Sequence, residues 1–202
     1  ESLTGTPEFR LLAPDHRRYW QLIAAELQRY GANTLASLVR LGQGVTYREI
    51  LVDVCDKLDV NYNQKSTTET IELALLMKVL EKSLDQMSPE ELAAFSHNMH
   101  LDLTNPTPQL ILIAVQAAIR TSSLAALELA TMLSASVITS LGGIATWGTV
   151  VVASRALSVL AGPLAIALSS AWMISDITGP AYRVTIPACI IVSWLRQQHL
   201  SR

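Results

Sequence analysis

LATMLSASVITSLGGIATWGTVVVAS, residues 129–154, carries no charged side chain, and beyond the lone Arg155 the run ALSVLAGPLAIALSSAWMIS, residues 156–175, carries none either. At a rise of ~1.5 Å per residue the first run spans about 39 Å as a helix and the second about 30 Å, against a hydrocarbon core of roughly 30 Å. Neither run alternates apolar with polar residues, as a half-buried strand does. Gly142-Gly143, Gly148 and Gly162-Pro163 punctuate them, and the glycine pair can divide the first run into pieces too short to cross a bilayer.

Outward from these runs the chain reads as one helix after another. Asp15 is placed to cap a helix through Trp20, Ile23, Ala24 and Leu27, which Gly31 closes from the position after the C-cap; Asn33 starts a short one. Thr46-Tyr47-Arg48-Glu49 spells a capping box, in which hydroxyl and carboxylate satisfy each other's orphan backbone donors, and Ile50, Val54 and Leu58 follow on one face. Ser66-Thr67-Thr68-Glu69 repeats the device before Ile71, Leu75, Val79 and Leu80, and Ser88-Pro89-Glu90-Glu91 does so with proline at the first helical position. Asn105-Pro106-Thr107-Pro108 breaks the chain, and Gly179-Pro180 ends a later helix. Because proline suits only a first turn or a kink, Pro187 predicts a last helix from about Thr185 to Gln198, with Arg183 just outside it. The expected fold is all-α, a multi-helix bundle whose amphipathic helices wrap a central apolar hairpin, with residues 129–141 and 156–175 at its centre. Residues 1–104 form an amphipathic, soluble jacket and residues 105–202 a hydrophobic region, packed as one domain.

Composition limits the function. Of 202 residues 50% are hydrophobic and 16% charged, where globular chains run near 25% charged. The net charge is −2. With no basic block, RNP-like aromatic motif or zinc spacing, nucleic acid is not an expected partner. Cys55 and Cys189 sit inside apolar helical patterns and read as core residues rather than a disulfide. The chain opens with Glu1-Ser2-Leu3, without Met, a positive n-region or an h-region, so a trimmed fragment is expected rather than a signal peptide. His97 and His100, near Asp102, lack a clear third ligand and read as solvated. There is no Gly-rich phosphate loop, G-x-S-x-G or H-E-x-x-H. The expectation is no enzyme, no metal and no cofactor.

The residues most open to a functional role lie in and beside the uncharged runs. Ala135, Thr139 and Gly143 recur every four residues, as do Ala161, Ala165 and Ser169. That small-xxx-small spacing lets two helix backbones approach closely in lipid, and it equally suits a tightly packed soluble bundle. Ser134, Ser136, Ser140, Thr146, Thr149, Ser154 and Ser158 can bond their own helix carbonyls or line a wet path. Trp147, Trp172 and Trp194 suit a membrane interface, but at helical spacing they read as core. Arg155 must find a partner such as Glu128 or Asp176, reach an interface or mark a turn. Arg183 is expected to tie the last helix to an acidic residue of the N-terminal half, coupling jacket to hairpin, the alternative being a solvated arginine.

The segments HRRYWQLIAAELQRYGAN (His16–Asn33), YREILVDVCDKL (Tyr47–Leu58) and AYRVTIPACI (Ala181–Ile190) resemble the enterobacterial YaaW family. The resemblance implies a bacterial helical protein rather than an activity; that family's N-terminal half is related to the ubiquinol–cytochrome c chaperone family, helical proteins that assist assembly of a membrane complex. The Gly- and Ala-rich C-terminal region is similar in kind to the hydrophobic hairpin of pore-forming colicins, although no colicin motif is present. Three functions stay open. The first is a conditionally membrane-inserting protein such as an antibacterial pore-former, in which residues 14–101 jacket the helices between Thr107 and Ser175. The second is a helical chaperone or adaptor for a partner's apolar helix, and the third an uncommitted bundle or immunity-type partner. The partners implied are a lipid membrane, met conditionally at the bacterial inner membrane, and an immunity or carrier protein or a second copy.

Overall fold

Every regular element among the described residues is helical. The structure, a computed structural model, describes residues 3–32, 45–140 and 182–201. A 3₁₀ turn at Leu3–Gly5 leads to α1 (Pro7–Leu12), and a second at His16–Tyr19 runs directly into α2 (Trp20–Ala32). α3 (Tyr47–Lys57), α4 (Thr68–Leu84), α5 (Pro89–Asn98), α6 (Pro108–Thr121), α7 (Ser123–Ser140) and α8 (Tyr182–Leu200) follow. The all-α class expected from the sequence is what the chain adopts. The central hairpin is not defined by the described residues, because residues 141–181 lie outside them.

Capping chemistry sets most of the starts. Thr46 and Glu49 close a full capping box on α3, with Glu49 Oε2 accepting from Thr46 N at 2.7 Å, and Ser88 and Glu91 do the same on α5 behind Pro89. Thr107 caps α6 ahead of Pro108. The box expected at Ser66 does not form: a simple cap falls one residue later on Thr67, accepting from Thr70 N at 3.3 Å, because the Ser66 carbonyl is taken by Arg48 Nη2 at 2.8 Å. Asp15 makes no side-chain cap, since a 3₁₀ turn intervenes before α2. Gly31 does not terminate α2 but lies within it, where a Cβ would stand 2.5 Å from Ile50 Cγ1. Its missing side chain lets α2 approach α3. α3 and α5 both end on a non-glycine residue in the left-handed region, Asp59 (φ 55°) and His100 (φ 52°). Each is followed by a backbone bond reaching back into the last turn, Val60 N to Cys55 O and Leu101 N to Ser96 O, both at 2.9 Å.

Packing joins the two halves of the chain. One continuous cluster of buried side chains includes Ile50, Leu51 and Val54 of α3, Leu75, Leu76 and Leu80 of α4, Phe95 of α5, Leu129 and Leu133 of α7, and Ile190 and Trp194 of α8. α7 packs most extensively on α8 and also on α4 and α6. From Leu129 to Val137 only Thr131 is more than marginally exposed, so the described head of the first uncharged run is interior. Burying each such leucine is worth roughly 1.5–3 kcal/mol. The α7 hydroxyls turn inward: Thr131 bonds the Leu127 carbonyl at 2.7 Å and Ser136 the Met132 carbonyl at 2.9 Å. Ser134 instead donates to the Ile190 carbonyl of α8 at 3.3 Å, a contact that only a small side chain on a closely approaching helix can make. Trp194 is core, as expected, with its indole N–H on Thr131 Oγ1 at 3.0 Å.

α8 starts earlier than the proline rule predicts. It begins at Tyr182 rather than Thr185, so Pro187 falls inside the helix, and Arg183 is helical rather than outside it. The start is anchored from α3: the Tyr182 hydroxyl donates to Asp53 Oδ1 at 3.3 Å, and the Lys57 ammonium lies 5.6 Å from the Tyr182 ring centre.

Candidate functional site

α4 places Glu72 in line with Leu76 and Leu80, four residues apart on an inward face, and its side chain is 0% exposed. A carboxylate there has to be met by donors. Tyr47 of α3 donates its hydroxyl to Oε1 at 2.7 Å, and Arg196 of α8 donates Nε to Oε2 at 2.8 Å. Arg196 also reaches Glu69 Oε1 at 3.4 Å, and its guanidinium lies 6.0 Å from the Tyr47 ring centre. Three helices from both halves of the chain converge on the buried Glu72 carboxylate, which Arg196 meets from a partly exposed position.

Burial dominates the electrostatics of this cluster. Burial pushes the Glu72 carboxyl above the usual carboxylate range, outweighing the Tyr47 hydrogen bond and Arg196, which pull it down. Burial likewise raises the Tyr47 phenol, with nearby Cys189 and Glu72 adding to the effect. Asp53, at the other end of α8, is raised by desolvation against the opposing Tyr182 hydrogen bond. Desolvation pushes the Cys55 thiol up to about 12 and raises the buried Cys189 thiol as well. Both cysteines are free and held as thiols, the form that packs rather than attacks. Arg48 pins the segment before α4 to α3, donating to the Gln64 carbonyl at 2.7 Å, the Ser66 carbonyl at 2.8 Å and Thr68 Oγ1 at 3.2 Å.

A second feature lies outside this cluster. Between α4 and α6 runs a groove of about 620 Å³, with Leu73, Met77, Leu112 and Ile119 in its lining and Lys78 and Arg120 among its charged residues. No group of three or more His, Cys, Asp or Glu among the described residues is placed to hold a metal. His97 and His100 are exposed.

Bacterial relatives match the sequence over nearly its whole length. It is 42% identical to a UPF0174 protein of Helicobacter pylori strain J99 over 97% of the chain and 78% of that relative. A second UPF0174 protein of the same strain is 35% identical over 98% of the chain and 97% of the relative. The UPF0174 protein YaaW of Escherichia coli K12 is 31% identical over 98% of the chain and 76% of that protein. The chain belongs to the UPF0174 family. The resemblance to YaaW seen in the three sequence segments is thereby shown, and its relatives are bacterial. No family model matches the chain. No solved structure matches it.

The residues singled out in this UPF0174 protein are distributed unevenly. Ala135 is buried in α7. Thr139 belongs to α7, its side chain outside the described set, and Gly143, Arg155, Ala161, Ala165 and Ser169 lie outside the described residues, as do Trp147 and Trp172. Arg183 is exposed on α8 and makes no ion pair among the described residues. The tie between the last helix and the N-terminal half exists, but Arg196, Glu72 and Glu69 make it, because Arg183 points to water while Arg196 crosses the face of α4. Glu72 was legible as a carboxylate on the Leu76–Leu80 line. Its partner was not, since nothing local in the last helix distinguishes Arg196 from Arg183.

Proposed function

We propose that this UPF0174 protein is a conditionally membrane-inserting helical protein in which the helices before α7 jacket the uncharged runs. The observation that carries the proposal is the enclosure of Leu129–Val137: the head of the first uncharged run is a helix packed on α4, α6 and α8, and among the described residues the one buried charged side chain is Glu72, where α8 meets α3 and α4. Among the described residues no helix is long and apolar enough to cross a membrane. Insertion therefore depends on the full runs 129–154 and 156–175. Opening the Glu72 junction exposes apolar surface at roughly 25 cal/mol per Å², and lipid accepts such helices because each satisfies its own backbone. The self-bonded hydroxyls of Thr131 and Ser136 lower the polarity α7 carries into that setting.

Dye release from lipid vesicles tests the proposal. Leu157→Asp and Ala165→Asp place a charge in the second run at about 2.5–3.5 kcal/mol on the insertion scale and should sharply reduce leakage. Arg155→Leu should largely preserve it, because the long side chain of an arginine that separates the two runs can snorkel to the headgroups, and insertion does not need its charge. A wild type that releases no dye under acid, with anionic lipid or after partner release ends the insertion reading. The groove between α4 and α6 favours a second reading, a helical adaptor that seats an amphipathic helix of another protein.

A further inference from the structure

Three large apolar side chains stand out at the N-terminal end of the molecule. Leu11 is 83% exposed, Trp20 59% and Ile23 38%. Trp20 and Ile23 lie one turn apart on α2 and share a face. Exposed arginines accompany them: Arg10 in the last turn of α1, and Arg17 and Arg18 in the 3₁₀ turn that runs into α2 at Trp20. None of the three makes an ion pair among the described residues. Between α1 and α2, Tyr19 is buried, meets the Phe9 ring edge-on at 6.0 Å and hydrogen-bonds His16 Nδ1. With Tyr19 turned inward, its neighbours Arg18 and Trp20 project outward. From Phe9 to Ile23 the sequence sets Arg10, Arg17 and Arg18 against Asp15 alone, in a chain of net charge −2.

We propose that this patch is a landing surface for anionic lipid headgroups. Tryptophan favours the interface, where its ring is apolar and its N–H is hydrated. Guanidinium groups match phosphate in a planar fork, and the leucine and isoleucine enter the acyl boundary between them. Charge complementarity selects this occupant: among the described residues no carboxylate, neighbouring Glu8 and Asp15 included, forms an ion pair with these cations, and an anionic membrane supplies the counter-charge. The inference rests on the insertion reading for its purpose and assigns first contact to residues remote in sequence from the uncharged runs. Landing and leakage are nevertheless measured separately.

The experiment is co-sedimentation of the whole chain with vesicles of phosphatidylcholine alone and of phosphatidylcholine mixed with phosphatidylglycerol, at low and high salt. It compares the wild type with Arg17→Ser/Arg18→Ser, Trp20→Ser and Leu11→Ser, whose side chains are exposed, and circular dichroism verifies that each variant keeps the fold. Wild type should bind the anionic vesicles, weaken as salt rises and ignore the neutral ones. The double arginine variant should bind about thirtyfold more weakly, as two basic contacts imply, and Trp20→Ser should also lose binding. Equal binding to neutral vesicles, no binding to either, or folded variants that bind like wild type each overturn the landing surface. Wild type that binds through these residues yet releases no dye upholds the landing surface and removes insertion instead.

Discussion

At the scale of single residues the Glu72–Arg196 pair governs how α8 is held. A buried ion pair is weak evidence for net stability, but removing one member strands the other without its counter-charge. Arg196→Ala should therefore lower the unfolding free energy by about 3 kcal/mol, and adding Glu72→Gln should recover part of that loss, because a neutral amide tolerates the vacated site and can still accept from Tyr47. Urea unfolding of both variants reads this directly. A change under about 0.5 kcal/mol for Arg196→Ala, the level of an exposed pair, would show that Glu72 is adequately met without it. The sequence displayed Glu72 on an apolar line but gave no ground for preferring Arg196 over Arg183, because a side chain's partner across 124 residues depends on how two helices rotate against each other.

At the scale of elements, local chemistry was read correctly where the interaction is local. The boxes at Thr46–Glu49 and Ser88–Glu91 form because both partners lie within one turn. The misreadings arose where another element intervened: Arg48 displaced the α4 cap from Ser66 to Thr67, and the Tyr182–Asp53 contact carried α8 upstream past its proline. Gly31 is the clearest case. Alanine there would gain about 1 kcal/mol of helix propensity, yet its Cβ would meet Ile50 Cγ1 at 2.5 Å and Val45 Cγ2 at 3.0 Å, both on buried residues. Overpacking of this kind costs about 1–3 kcal/mol. Gly31→Ala should accordingly lower the thermal midpoint, and a rise would mean that α2 and α3 separate freely.

At the scale of the whole molecule the two classes of shifted carboxyl oppose each other with pH. Glu72 and Asp53 are raised by burial, so the folded state holds their protons more tightly; their contribution is fully present below the ordinary carboxyl range and is lost as pH rises through their folded values. Glu69 and Glu90 are lowered, first by their own backbone amides, so theirs is present above that range and lost as pH falls through the folded values. Acid alone thus neutralises Glu72 without penalising the fold for it. Unfolding free energies of wild type and Glu72→Gln, followed upward from pH 4.5, should show the wild type losing ground to the variant as pH rises; the opposite slope would mean that Arg196 outweighs burial. The sequence by itself determined the helical class, most of the helix starts and the abrupt loss of charge after Glu128, because periodicity, caps and composition act within a turn or two of chain. Only the tertiary structure decided which carboxylate is interior, which arginine meets it, and that Trp20 and Ile23, an apolar stripe on paper, face outward beside exposed arginines. Burial belongs to the neighbours an element acquires, and those neighbours come from distant parts of the chain.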